Sequence, residues 1–159
     1  MTQLTKKALN LIKIALYQPD IPQNTAAIIR LCACLNTNLD IIEPCGFIMN
    51  DKRFKRVCMD YIEKCTIKKH KSYNEFLKRK KKGRVILMTT KASLKYYEFN
   101  FKKNDTILFG RESEGVPQNV HESVDCRLTI PIQKKTRSLN IVSSIAITLS
   151  EAIRQNSLF

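Results

Sequence analysis

Gly110-Arg111-Glu112-Ser113-Glu114-Gly115-Val116-Pro117 directly follows an apolar run and holds two of the chain's four glycines. Glycine admits positive φ and lets a ligand touch backbone. A plain β-turn needs neither two glycines nor two carboxylates, which stand out in so basic a chain, so the loop suits a ligand site. A second cluster, Ser138-Leu139-Asn140, closes a loop carrying Lys134, Lys135 and Arg137, set between a short strand ending at Pro131 and a long helical segment. Ser138 is suited to cap that helix. The concentration of cations and polar groups between two rigid elements favours a site as well. Arg30 is a third candidate, neighboured by the small residues Ala26, Ala27, Ala33 and Cys34. An arginine in such surroundings most often packs its stem at the surface; less often it is an anion-binding or catalytic group.

Other chemistries find little support. Neither G-x-G-x-x-G nor G-x-x-x-x-G-K-[ST] occurs, which argues against a dinucleotide fold and a P-loop. No G-x-S-x-G is present, and His70 and His121 lack an obvious partner for a nucleophilic triad. The six cysteines (Cys32, Cys34, Cys45, Cys58, Cys65 and Cys126) form no C-x-x-C pair, and Cys32 and Cys34 diverge on a helix. That spacing argues against zinc, and no metal is expected. Reduced thiols in a cytosolic protein account for the six.

The elements that must position these residues follow from hydrophobic period. Strands are expected at Lys13–Tyr17, Leu39–Ile42, Thr66–His70, Arg84–Thr89, Asp105–Phe109 and Cys126–Ile130. A helix capped by Asn24 or Thr25 runs to about Leu35 with Ile28, Leu31 and Leu35 as its stripe, and Asn36 suits its end. Asp51 opens a basic helix to about Lys64; further helices span Tyr73–Lys82 and Gln118–Ser123, while Lys91–Phe101 is ambiguous. The last helix buries Leu139, Val142, Ala146, Leu149 and Ile153. Strands that are apolar on both sides and alternate with helices predict a single α/β domain with a mostly parallel sheet. It covers residues 13–159, behind a basic N-terminal extension at 1–12.

Charge narrows the partner. The net charge is +14, and residues 52–84 hold 14 Lys and Arg against three acids, a local +11. Charge concentrated this way destabilises a compact chain unless a polyanion uses it, so nucleic acid is the leading partner. A solvated lysine-rich face explains part of the excess, and an anionic membrane surface ranks third because no segment pairs a clean apolar face with a cationic one. No apolar run reaches the roughly 20 residues of a membrane span, and the first residues make a poor secretory signal.

Three motifs in order resemble the SPOUT class of RNA methyltransferases. They are Ile21-Pro22-Gln23-Asn24 through Ile29-Arg30, Phe109-Gly110 through Val116-Pro117, and Ile130-Pro131 through Arg137-Ser138-Leu139-Asn140. Leu16-Tyr17-Gln18-Pro19, Ile41-Ile42-Glu43-Pro44, Asp51-Lys52-Arg53, Asp60-Tyr61 and Thr89-Thr90-Lys91 are similar to the TrmL (YibK-like) branch. The resemblance spans residues 13–155. It implies a cytoplasmic homodimer with a C-terminal trefoil knot, which no periodicity could indicate and which connection rules disfavour. It implies transfer of the methyl of S-adenosylmethionine to the ribose 2′-hydroxyl of the wobble nucleotide in the anticodon loop of leucine tRNAs, C or a modified U. By the same resemblance, the cofactor is held at Met88, Gly110, Glu112, Ile130, Ser138 and Asn140, and Arg30, Asn24 and Ser138 act in catalysis. Arg111 and Glu114 stand where the closest relatives are expected to carry Pro and Arg. That departure bears on contacts to tRNA more than on backbone contacts to the cofactor. Two other readings are a ribosomal RNA methyltransferase of the same class and a non-catalytic RNA-binding module.

Overall fold

A computed structural model describes residues 12–80 and 82–156. Six strands form one sheet, every pairing parallel: β1 (Lys13–Tyr17), β2 (Asn38–Ile42), β3 (Ile67–His70), β4 (Val85–Met88), β5 (Thr106–Phe109) and β6 (Cys126–Leu128), in the order β3-β2-β1-β5-β4-β6. Side chains alternate across a strand, so consecutive apolar residues feed two cores. Ile14, Leu16, Leu39, Ile41, Ile86, Ile107 and Phe109 enter one; Ala15, Tyr17, Ile42, Val85, Leu87 and Leu108 enter the other. The first core is covered by α1 (Pro22–Cys34), α2 (Lys52–Cys58) and α6 (Ile141–Gln155), the second by α4 (Tyr73–Arg79) and α5 (Gln118–Ser123). The short α3 (Tyr61–Lys64) packs beside α1. The result is a three-layer α/β/α domain. Each fully buried leucine- or isoleucine-sized side chain contributes about 1.5–3 kcal/mol.

Several local expectations shift. Helix α1 starts at Pro22 with Ile21 as N-cap and no side-chain cap, because proline at the first helical position needs no partner for a missing N–H. Asn24 and Thr25 therefore do not cap it, and Asn24 is free for other contacts. Its buried face is Thr25, Ala26, Ile28, Ile29 and Cys32; Leu31 and Leu35 are only partly covered. Asn36 follows in the left-handed region, φ 49°. The basic helix expected over 51–64 breaks at Met59, whose φ of 55° ends α2 and separates α3. Helix α4 stops at Arg79, short of Lys82. Residues 91–101 hold one 3₁₀ turn, Tyr96–Glu98, with Phe101 buried. Asn140, not Ser138, caps α6 by accepting the Val142 N–H at 2.8 Å. The buried face of α6 is Ile145, Thr148, Leu149, Ala152 and Ile153, and Leu139 lies outside the helix, 39% exposed. His70 does have a partner: its Nε2 lies 2.7 Å from Asp40 Oδ1 in the second core. All six thiols are free. Ile12 is buried, while the rest of the basic lead-in expected at 1–12 lies outside the described residues.

Candidate functional site

In an open parallel sheet, ligands bind beyond the carboxyl ends of the strands. Strands β4, β5 and β6 end there together, and a cavity of about 530 Å³ opens above them, within the range of small-molecule sites. Three loops wall it. The loop after β5 is pinched by a reciprocal backbone pair, Arg111 N–H to Gly115 carbonyl at 3.0 Å and Gly115 N–H to Arg111 carbonyl at 2.9 Å. Both of its glycines are required, for different reasons. A Cβ on Gly110 would stand 2.5 Å from the Gly115 carbonyl carbon, and Gly115 itself has φ of +70°. Thr89 and Thr90 follow β4, and Ile130 and Ile132 follow β6, leading to the Ser138–Asn140 turn at the start of α6.

A directed chain of hydrogen bonds ties these loops to the start of α1. Because Asn140 Oδ1 accepts the Val142 N–H, its Nδ2 must donate, and it reaches Asn24 Oδ1 at 3.2 Å. Asn24 must then offer its own Nδ2 to Glu112, whose Oε1 accepts at 3.4 Å. The polarity of both amides is thereby set by the helix N-terminus at one end and a carboxylate at the other. Glu112 Oε2 also accepts the Asp20 N–H at 3.1 Å, Asp20 Oδ1 accepts the Glu112 N–H at 3.2 Å, and the Ser113 hydroxyl donates to Asp20. Burial raises the Glu112 carboxyl above its ordinary value, with Asp20 adding to the effect; hydrogen bonding from Glu112 holds Asp20 below its own. The two carboxyls therefore titrate as a linked pair.

Met88, Gly110, Glu112, Ile130, Ser138 and Asn140, the six residues expected to hold a cofactor, all line this cavity, and so does Asn24. Arg30 does not line it. It is exposed on α1, its guanidinium 5.0 Å from the centroid of the Tyr61 ring. The two departures in the glycine loop meet one another, Arg111 Nη1 lying 3.5 Å from Glu114 Oε2. Among the described residues three buried side-chain atoms have no hydrogen-bond partner, and two of them, Arg111 Nε and His121 Nε2, belong to residues of this wall. Some contributors carry little sequence signal. Asp20 reads only as part of a Pro-flanked strand stop, and His121 is one polar residue in a short helix. Thr89 and Lys91 could be found through the Thr89-Thr90-Lys91 run alone.

The chain is 46% identical over 144 residues to a Beijerinckia indica protein named tRNA (cytidine(34)-2′-O)-methyltransferase, covering 89% of this chain and 90% of that one. An Escherichia coli K12 protein of the same name is 35% identical over 147 residues, covering 91% and 94%. A solved structure described as giving structural insights into the 2-OH methylation of C/U34 on tRNA superposes with a TM-score of 0.87 at 33% identity, covering 93% of this chain and 97% of that one. The family profile described as the SpoU rRNA methylase family matches residues 11–150. With nearly the whole domain inside that match, including all three loops of the cavity, this chain belongs to the SpoU rRNA methylase family.

Proposed function

We propose that this chain is a tRNA 2′-O-methyltransferase acting on the ribose of the wobble nucleotide, position 34, with cytidine or modified uridine as target base and leucine tRNAs as substrates. One observation carries the reading: of eight residues expected for donor binding and catalysis, seven, from four separate segments, line one cavity, Arg30 being the exception. The names of relatives at 35–46% identity agree with it.

The wall suits S-adenosylmethionine. The Gly110–Gly115 pinch brings backbone to the cavity surface, where an adenosine can be gripped by main-chain groups, and Met88 and Ile130 supply apolar contact. When bound, S-adenosylmethionine supplies a methyl on a sulfonium centre, which calls for in-line positioning and removal of a hydroxyl proton. Ser138 and Asn140 line the cavity together with the glycine loop, and Asn24 is fixed between Asn140 and Glu112. Arg30 lies six residues beyond Asn24 on the same helix, roughly 9 Å along its axis. Exposed there, it can meet an incoming ribose and its phosphate. A guanidinium holds its proton too tightly to act as a base at neutral pH, so its role is to orient the hydroxyl and stabilise charge. Arg30→Ala should lower the methyl-transfer rate by about 10² to 10⁴ while S-adenosylhomocysteine affinity, read by calorimetry, stays near normal. Equal loss of both would move Arg30 into the donor site.

Lys91 on the wall and the exposed Lys134, Lys135 and Arg137 beside it supply cations for the anticodon-loop backbone. The reading extends to a homodimer, supported by Ile147, which is 36% exposed on α6 outside the cavity. It extends to a trefoil knot in the C-terminal third, supported by the path from edge strand β6 back to α1, on which α6 packs. Free thiols support a cytosolic setting. The assignment is tested by mapping 2′-O-methyl groups, nucleotide by nucleotide, in RNA from cells with and without the protein. Loss confined to nucleotide 34 of leucine tRNAs is expected; loss in ribosomal RNA instead would overturn it.

A further inference from the structure

The cations placed at the donor cavity, Lys91, Arg111, Lys134, Lys135 and Arg137, all lie outside residues 52–84, the segment with a local charge of +11. The fold wraps that segment around the β3 edge of the sheet, α2 and α3 preceding β3 and α4 following it. Lys68, Lys69 and Lys71 are exposed on or just after β3, and none of the three has an ion-pair partner among the described residues. Lysines on an edge strand also guard it against pairing with another chain, so their charge alone specifies no ligand.

A second cavity does. It has a volume of about 410 Å³ and lies where β2 and β3 end, lined by Phe47, Ile48 and Met49 together with Glu43, Lys69 and Lys71. Ile48 is 74% exposed, the highest value for a large apolar side chain among the described residues. The loop that carries it rests on the connection between β1 and α1. Gly46 N–H donates to the Pro19 carbonyl at 2.9 Å, and a Cβ on Gly46 would stand 2.9 Å from Asp20 Cα. Asp20 holds Glu112 in the wall of the donor cavity, and Ile21 lines that wall. The two cavities are therefore neighbours at one end of the sheet, with the Gln18–Ile21 segment between them.

Apolar side chains beside two unpaired cations suit one unit of a single-stranded nucleic acid, a base for the first and a phosphate for the second. Glu43 adds an acceptor for base N–H groups. A second copy of this chain fits less well, because lysine is depleted from the core of protein interfaces. We propose that this second cavity is a subsite for the nucleotide next to the one being methylated, its base against Phe47 and Ile48 and its phosphate at Lys69 and Lys71. The proposal rests on the reading of the chain as a methyltransferase of an anticodon-loop ribose, and gives that substrate a second point of attachment beyond the donor cavity.

The test measures leucine tRNA affinity of the full chain with S-adenosylhomocysteine present, and kcat for methyl transfer at saturating tRNA. Lys69→Ala combined with Lys71→Ala should weaken tRNA by about tenfold at low salt. It should also flatten the dependence of log affinity on log salt by about 1.4, or about 0.7 for each phosphate, with kcat unchanged. Lys102→Ala combined with Lys103→Ala removes the same charge from exposed positions before β5, at the opposite end of the sheet, and should do far less. Equal effects of the two pairs would reduce the first to bulk charge and overturn the subsite. Ile48→Ala should weaken tRNA severalfold without altering the salt dependence. Removing the base on one side of the target nucleotide should weaken tRNA for the unaltered chain but not further for Ile48→Ala, because both changes delete one contact. Additive losses for the bases on both sides would overturn the proposal. So would a change in the oligomeric state of Ile48→Ala by light scattering, which would assign the patch to a second copy. Normal methyl transfer with unchanged tRNA affinity in every variant would end the subsite alone. Absence of transfer to leucine tRNA by the unaltered chain would end the wobble-nucleotide reading and the subsite with it.

Discussion

Asp20 and Glu112 lie 92 residues apart in sequence and hold each other through both backbone and side chain. Their opposed shifts make a testable pH signature. Glu112 keeps its proton more tightly in the fold than in the open chain, so its protonated form contributes stability that is present below the ordinary glutamate value and lost as pH rises through the raised one. Asp20 runs the other way: its contribution is present above the ordinary aspartate value and lost as pH falls through the lowered one. Glu112→Gln deletes the first dependence. The melting temperature of the variant relative to the unaltered protein should therefore rise with pH through the Glu112 titration and level off above it. A difference that does not change with pH would mean that the two carboxylates are not linked in this way. At this scale the sequence was informative about Glu112, whose acidity stands out in a basic chain. Asp20 offered no such contrast between its two prolines, and the His70–Asp40 pair needed the parallel register that sets Lys68 against Asp40 and brings His70 to the same face.

Helix starts decide which polar residues are left for chemistry. Pro22 begins α1 without a cap and so releases Asn24; Asn140 caps α6 and so releases Ser138 to the cavity wall. Periodicity located both helices to within a few residues, but a polar run such as Ser138-Leu139-Asn140 does not say which member the backbone will turn on. The same limit applies to α2 and α3, where a helical pattern is interrupted by a methionine at positive φ rather than by glycine. Asn140 has two separable duties, capping α6 and donating to Asn24. Asn140→Ala should lose about 0.5–2 kcal/mol of stability with the cap and also weaken S-adenosylhomocysteine. Asn140→Asp keeps the cap acceptor but has nothing to donate, so denaturant titration should find its stability close to normal while calorimetry finds the ligand weakened. Normal ligand affinity in the aspartate variant would separate the asparagine chain from the site.

The whole molecule joins a parallel sheet, whose strand ends gather the loops, to a surface with a net charge of +14. The sheet was legible because its strands are apolar on both faces, and every pairing is indeed parallel. Strand order was not legible: β5 lies between β1 and β4, and no local pattern encodes which neighbour a buried strand will choose. Convergence of the glycine loop and the Ser138–Asn140 turn follows from that order. The most direct test supplies the purified chain with methyl-labelled S-adenosylmethionine and two leucine tRNA transcripts, one unaltered and one carrying a single 2′-deoxyribose at nucleotide 34. Label should enter the first and not the second. Equal labelling of both transcripts, or labelling of neither, would contradict the account.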